Sequence, residues 1–209
     1  TSGDDGVYRT ANGEIAKNTL VSTTNDDGKT LNVITDADGK AYKNAIITTE
    51  KGKNYAAKSD GSIAVNESVK IDGKKYVASN DGTLDKKGLA KIKQTREDGS
   101  KVTKTFVIKN DNGEVAKSEV VTIDGHTYTA KANGLLARQT IVKTKDGLVY
   151  ANKNGHISHV KRVVRVGGKR YITKSDGTLY TNTWVTLGGK KYKTDKNGVI
   201  VDSRKKKKR

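Results

Sequence analysis

Two segments near the C-terminal end set basic residues at a fixed distance behind paired glycines, GGKRY at residues 167–171 and GGKKY at residues 188–192. Cations placed this way are equipped to hold oxyanions: Arg grips two oxygens of a phosphate at once, whereas Lys acts as a point charge. The residue just before the tyrosine is Arg170 in one copy, Lys191 in the next and Lys75 in the earlier DGKKY. Strand alternation places Arg165, Lys193 and Lys70 on the same faces, and the link between two copies adds Lys161 and Arg162. The candidate polyanion-binding set is therefore Lys75, Lys161, Arg162, Arg165, Arg170, Lys191 and Lys193. Trp184, the single tryptophan, is the candidate to stack against a sugar ring or a lysine stem.

Other chemistry is poorly provided for. The chain has no cysteine, which excludes disulfides, thiolate metal sites and cysteine catalysis. His156 and His159 in GHISH are three apart and on a strand point to opposite faces, a poor metal pair. With His126 they read as solvated strand or turn residues. DADG (36–39) and NDNG (110–113) faintly resemble calcium loops. Placing their glycines at the sixth loop position, however, puts Ile34 or Ile108 at the first ligand. Turn chemistry explains these residues better. The chain carries no P-loop, dinucleotide fingerprint, nucleophile elbow or suggestive carboxylate pair, so neither an enzyme nor a cofactor is expected.

The elements that carry the basic residues recur through the whole chain. The repeating unit is a strand, a Gly turn, a strand with tyrosine shortly after the turn, and then a second Gly turn. Clear copies carry DGKKY at Asp72, DGHTY at Asp124, GGKRY at Gly167 and GGKKY at Gly188. DDGVYRTANG, DDGKTLNVITDADG and EDGSKVTKTFVIKNDNG are degenerate copies. The spacing predicts nine units over residues 1–203, at periods of roughly 21 to 26 residues. Asp-Gly and Gly-Gly supply the positive φ angles of type I′ hairpin turns. In the last unit, Leu187 then faces Lys190, Thr186 faces Lys191, Val185 faces Tyr192 and Trp184 faces Lys193. Equivalent inward sets are Val164, Val166 and Tyr171; Val121, Ile123 and Tyr128; and Val69, Ile71 and Tyr76. The seventh unit breaks the pattern: a turn at Asp146-Gly147 sets Lys143 opposite Tyr150, which predicts a bulge or a different packing. Because a lone hairpin is marginal in water, the units must stack. The expected fold is all-β, a repeat protein of stacked β-hairpins forming a β-solenoid.

The composition sits close to that of disordered chains, with Leu, Ile, Val and Phe at about a fifth of the residues. Their recurrence in short β-like runs argues for a folded repeat. The net charge of +18 is uneven: residues 1–118 hold 20 Lys/Arg against 17 Asp/Glu, and residues 119–209 hold 21 against 6. The repeat region is thus near-neutral over 1–118 and strongly basic over 119–203, followed by a basic tail at 204–209, read as a solvated end or as an extension of the polyanion surface. No apolar run is long enough to span a membrane. A start at Thr1 without Met or leader reads as a mature form or an excised fragment.

The pattern strand–GG/DG–KxY–xNG–apolar, best seen in TWVTLGGKKYKTDKNGVI, resembles the choline-binding and glucan-binding cell-wall repeats of Gram-positive surface proteins. The resemblance implies stacked hairpins in a superhelical β-solenoid, secretion, and non-covalent attachment to wall polymers or glucans. It also implies aromatic cages for quaternary ammonium, formed by one aromatic at the start of the first strand and another before the tyrosine. Here those positions hold Trp184, Val163, Val142, Val120 and Ser68, and Lys191, Arg170, Val149, Thr127 and Lys75. Choline cages cannot be assembled from them.

The function expected is non-catalytic: a module that anchors a secreted bacterial protein, extracellularly, to anionic wall polymers such as teichoic or lipoteichoic acid. Alternatives are an adhesin for host sulfated glycans or mucin, and a glucan-binding repeat module. A nucleic-acid partner is disfavoured, since no recognition motif or aromatic stacking series accompanies the charge. A stacked-hairpin fold predicts a far-UV circular dichroism spectrum dominated by β-structure and turns. A helix-dominated or random-coil spectrum would refute it.

Overall fold

The computed structural model describes residues 3–25 and 27–205, among which there is no helix. Two compact units divide the chain, Thr1–Val115 and Ala116–Arg209. Each is a stack of antiparallel β-hairpins, as the repeat predicts. In the first unit β1 (Leu20–Thr24) pairs with β2 (Thr30–Ile34), and β3 (Ala45–Thr48) with β4 (Asn54–Ala57). There β5 (Glu67–Ile71) also pairs with β6 (Lys74–Ala78), and β7 (Gly88–Thr95) with β8 (Lys101–Ile108). The copy that precedes β1 is represented by isolated bridges, Arg9 to Ile15 and Val7 to Lys40. In the second unit β9 (Val120–Ile123) pairs with β10 (His126–Thr129), and β11 (Thr140–Thr144) with β12 (Gly147–Ala151). Last come β13 (Val163–Val166) with β14 (Lys169–Ile172), and β15 (Trp184–Leu187) with β16 (Lys190–Thr194). β17 (Ile200–Lys205) adds a third strand beside β16.

What joins one hairpin to the next is the short segment that returns after the second Gly turn. Its apolar residue, two after the glycine, bridges the end of its own hairpin: Ala57 to Ile63, Ala78 to Leu84, Ala151 to Ile157 and Thr173 to Leu179. The amide of that residue also donates backward to the preceding hairpin. Ile63 bonds the carbonyl of Asn32 (2.7 Å), Leu84 that of Asn54 (2.8 Å), Ile157 that of Thr127 (3.0 Å) and Leu179 that of Leu148 (2.8 Å). The returning segment is therefore a wedge whose backbone polar groups are satisfied on both sides. Burying its aliphatic side chain stabilises each joint by ~1.5–3 kcal/mol.

The wedge demands small neighbours. The residue four before the second-turn glycine is Thr35, Ala57, Ala78, Ala130, Ala151, Thr173 and Thr194 in seven copies, all buried. In the fifth copy it is the half-buried Lys109, and the bridge starts one residue earlier, from Ile108 to Val115. Where Thr replaces Ala, its hydroxyl ties down the link entering its own hairpin: Thr35 Oγ1 donates to the Thr19 carbonyl (3.2 Å), and Thr194 Oγ1 to that of Thr183 (3.1 Å). The second-turn glycines combine positive φ with close approach to the preceding copy. A methyl group on Gly177 would lie 2.7 Å from Ile157 Cγ2, and one on Gly155 2.8 Å from Leu136 Cδ1. The hairpin-turn glycines, such as Gly125 and Gly188, have open space around them and are required only for their positive φ. A third special position sits in the links, where Asn18, Asn44, Asn66, Ser118, Gln139 and Asn182 adopt φ of 45–51°. Each donates its amide forward to the residue that opens the next second turn, as Asn44 does to Lys58 and Asn182 to Asp195.

Cross-strand register agrees with the sequence reading in the fourth, sixth, eighth and last hairpins, for example Val185 opposite Tyr192 and Val69 opposite Tyr76. The seventh departs from it without a bulge. Its turn residues are Lys145 and Asp146, one position earlier than expected, so Ile141 faces Tyr150 and Val142 faces Val149. Thr144 Oγ1, which donates to the Gly147 carbonyl (3.0 Å) and accepts from the Asp146 amide (3.2 Å), stabilises this turn. The tail reading also changes in part, because β17 carries Arg204 and Lys205 alongside β16. Residues 206–209 lie outside the described residues.

Gly177→Ala forces an L-residue into left-handed backbone and a methyl into Ile157, whereas Gly125→Ala meets only the first penalty. The left-handed conformation costs about 1–2 kcal/mol and overpacking typically another ~1–3 kcal/mol. Thermal melts should therefore show a clearly larger loss for Gly177→Ala; equal losses would mean that the packing contact is irrelevant.

Candidate polyanion-binding surface

On β13–β14 one face is buried, and the tip half of the other is exposed or half-buried. Val164 and Tyr171 pack with Leu179, Ile141 and Tyr150, while Ile172 at the base of the opposite face packs with Val185 and Ile200. The tip half of that opposite face carries Arg165 directly opposite Arg170. The equivalent place on β5–β6 carries Lys70 directly opposite Lys75. On the last sheet Lys191 lies between Thr186 and Arg204, and Lys193 between Trp184 and Asp202. Like charges set directly opposite one another destabilise a sheet unless something neutralises them.

The expected residues divide into distinct settings. Arg165 with Arg170, and Lys191 with Lys193, share hairpin faces as anticipated. Lys161 stands over a ring instead, its Nζ 5.3 Å from the centroid of Tyr180, with Lys174 Nζ 5.4 Å from the same centroid. Arg162 belongs to the link into β13, where its backbone exchanges hydrogen bonds with Thr173 (3.0 Å from the Thr173 amide to its carbonyl, 3.3 Å from its own amide to Thr173 Oγ1). Lys75, in the first unit, reaches over Phe106 of the next hairpin at 5.0 Å. Burial pushes its ammonium below the ordinary lysine pKa, and the neighbouring charges of Lys104 and Lys70 push it further down. Trp184 is 44% exposed, and the cation that covers it is Arg204, 5.1 Å from the ring, rather than a lysine stem.

Sequence reasoning missed how the histidines gather. His126 on β10 stacks on His156 of the next returning segment at 4.7 Å and 12°, and Tyr128 meets the edge of His156 at 5.0 Å. His159 Nε2 lies 2.8 Å from Thr127 Oγ1. All three therefore contact one joint; His126 and His159 remain exposed there, in keeping with the reading of them as solvated strand or turn residues, while His156 is half-buried. The signal was available: aligning the tyrosine strand of one copy with the returning segment of the next pairs Tyr128 with His156, as it pairs Tyr55 with Thr83. The Asp-rich turns are held by their own backbone. Asp36 Oδ1 accepts the amides of Asp38 and Lys40, both at 2.9 Å. Hydrogen bonds from Ser79 and Thr83 hold the Asp81 carboxyl down at about 2. A cleft of about 320 Å³ in the second unit is lined by Val120, Val149, Ile157, His159, Asp146 and Asp176, apart from the basic faces.

The fold is a β-hairpin repeat solenoid of the kind found in choline-binding proteins. Choline binding protein F from Streptococcus pneumoniae superposes with a TM-score of 0.52 at 18% identity, covering 91% of this chain and 59% of that one. The choline-binding domain of CbpL from the same organism gives 0.38 at 20% identity over 88% and 98% of the two chains. An alternansucrase in complex with isomaltononaose gives 0.41 at 20% identity, over 92% of this chain but only 16% of the enzyme. No family model matches the sequence, and no curated protein matches it. At these identities the likeness establishes the fold.

Lys104→Gln removes the stronger of the two like charges that lower the Lys75 pKa. NMR titration of the Lys75 side chain should show its pKa rise toward the ordinary lysine value. An unchanged value would mean that the Lys104 charge plays no part in lowering it.

Proposed function

We propose that the chain is a non-catalytic binding module that holds a secreted bacterial protein on the cell wall through anionic polymer, of which teichoic or lipoteichoic acid is the best fit. The observation that carries this reading is the pairing of like charges: Arg165 faces Arg170, and Lys70 faces Lys75, with Arg165 and Lys70 exposed and Arg170 and Lys75 half-buried. Phosphates spaced along a flexible polymer would neutralise such pairs. Linked weak sites raise avidity by ~100- to 10,000-fold without any strong single site. The uneven charge, 21 Lys/Arg against 6 Asp/Glu over residues 119–209, adds long-range attraction for the same partner. A wall-associated, extracellular setting follows from this reading and from the fold shared with choline-binding proteins.

An adhesin for host sulfated glycans or mucin would use the same cation pairs. A neutral-glucan module has less support, because such binding draws on aromatic platforms and Trp184 is the single tryptophan. Replacing Arg170, Lys191 and Lys193 with Gln leaves the turns and core intact. Binding to isolated walls should fall about tenfold or more, with a shallower salt dependence as fewer counterions are released. Walls stripped of teichoic acid should bind poorly from the outset. An equal loss from replacing Lys29, Lys51 and Lys101, all exposed in the first unit, would assign binding to bulk charge. Unchanged binding in the triple variant would defeat the assignment.

A further inference from the structure

The last sheet differs from every other hairpin among the described residues in having a third strand. β17 runs antiparallel to β16 and brings two further residues onto the face that carries Trp184. Across the three strands, one row reads Trp184, Lys193, Asp202 and the next reads Thr186, Lys191, Arg204. Arg204 lies over the indole, its Cζ 5.1 Å from the ring. Asp202 Oδ2 holds it there, accepting from Arg204 Nε at 2.9 Å and from the terminal NH2 at 2.8 Å. The chain thus supplies its own cation to the only tryptophan, at the place an external ammonium would need. What remains is an indole 44% exposed, bordered by three cations and one carboxylate.

We propose that this platform is a subsite for a sugar ring carrying a tetrahedral oxyanion, a phosphate or sulfate ester, with Arg204 as a ligand-binding residue. The inference rests on the polyanion reading above and deepens it. The apolar face of a pyranose lies against the exposed part of the indole, while the ester oxygens reach Lys191, Lys193 and Arg204. Guanidinium can give the ester two parallel hydrogen bonds, and on binding it exchanges part of its pairing with Asp202 for the ligand. Neutral sugars lack the charged contact, and quaternary ammonium ions are repelled by Lys191, Lys193 and Arg204.

The single tryptophan makes the test direct, since the indole emission of the full chain reports on this site alone. The chain is titrated with glucose 6-phosphate, glucose 6-sulfate, glucose and choline at matched ionic strength. A saturable change with either ester supports the subsite, and the ester that binds more tightly identifies the oxyanion. Glucose and choline should leave the emission flat. Arg204→Gln should weaken ester binding by up to about fivefold, the scale of one exposed charge contact, and Asp202→Asn should strengthen it by freeing the guanidinium. Circular dichroism of both variants checks that the sheet is retained, and the indole N–H resonance gives a second readout. No saturable response to either ester in both readouts, an equal response to glucose or choline, or undiminished binding by folded Arg204→Gln would overturn the proposal. Ester binding at Trp184 alongside wall binding that survives the triple replacement would refute the assignment of wall binding to the basic hairpin faces and leave the subsite standing. A silent Trp184 with wall binding lost in the triple variant would do the reverse.

Discussion

Within each unit, joints of this repeat depend on how closely one copy's second turn can approach the aliphatic residue of the copy before it. The contact recurs as Gly113 on Leu84, Gly155 on Leu136 and Gly177 on Ile157, with φ of 83–90° at each glycine. Only glycine meets both conditions, because an L side chain is strained at that φ and its Cβ would occupy the space of the aliphatic group. With the turn seated, the returning segment lies near enough to hydrogen-bond the preceding hairpin on one side and its own on the other. Moving the turn outward would leave the segment's backbone groups unsatisfied and its aliphatic side chain hydrated. Packing and hydrogen bonding are therefore set by a single spacing.

That spacing also accounts for a composition close to the edge of disorder. The positions nearest the wedge are filled by alanine and threonine, and Ala57, Ala64, Ala78, Ala137 and Ala151 have no exposed surface. Small side chains contribute modest burial, but they let backbones come together, and backbone hydrogen bonds and dispersion then add to the aliphatic contribution. Each hairpin is secured by its neighbours rather than by a thick core, as expected for a quasi-one-dimensional repeat. Few large apolar residues are needed, and much of the outer surface remains available for charge.

The charge is used differently from place to place. Near Lys75, burial and two further lysines act together to disfavour the protonated amine, which an incoming anion would relieve. At Tyr180 two lysines rest on one ring, and at Trp184 an arginine is held by a carboxylate. The Tyr180 contacts place positive charge without requiring acids to balance it, consistent with the scarcity of Asp and Glu in the second half.

Hairpins, their inward tyrosines and the opposed pairs Arg165–Arg170 and Lys70–Lys75 were legible in the sequence. Turn glycines fix register locally, and alternation then assigns each side chain a face. The seventh hairpin was misread because Lys145-Asp146 makes a turn that lacks an obvious glycine signature, while Gly147 lies just beyond it. What the sequence by itself determined was therefore the repeat, its local pairing and the sign of its outer faces, all governed by neighbours within a few residues. Contacts between copies were decided only by tertiary structure: the Ala/Thr ladder against the wedge, the histidines meeting across a joint, Phe106 under Lys75, and Arg204 over Trp184. They depend on the rise and rotation from one hairpin to the next, which the close approach of backbones sets and which no pattern within a single copy records.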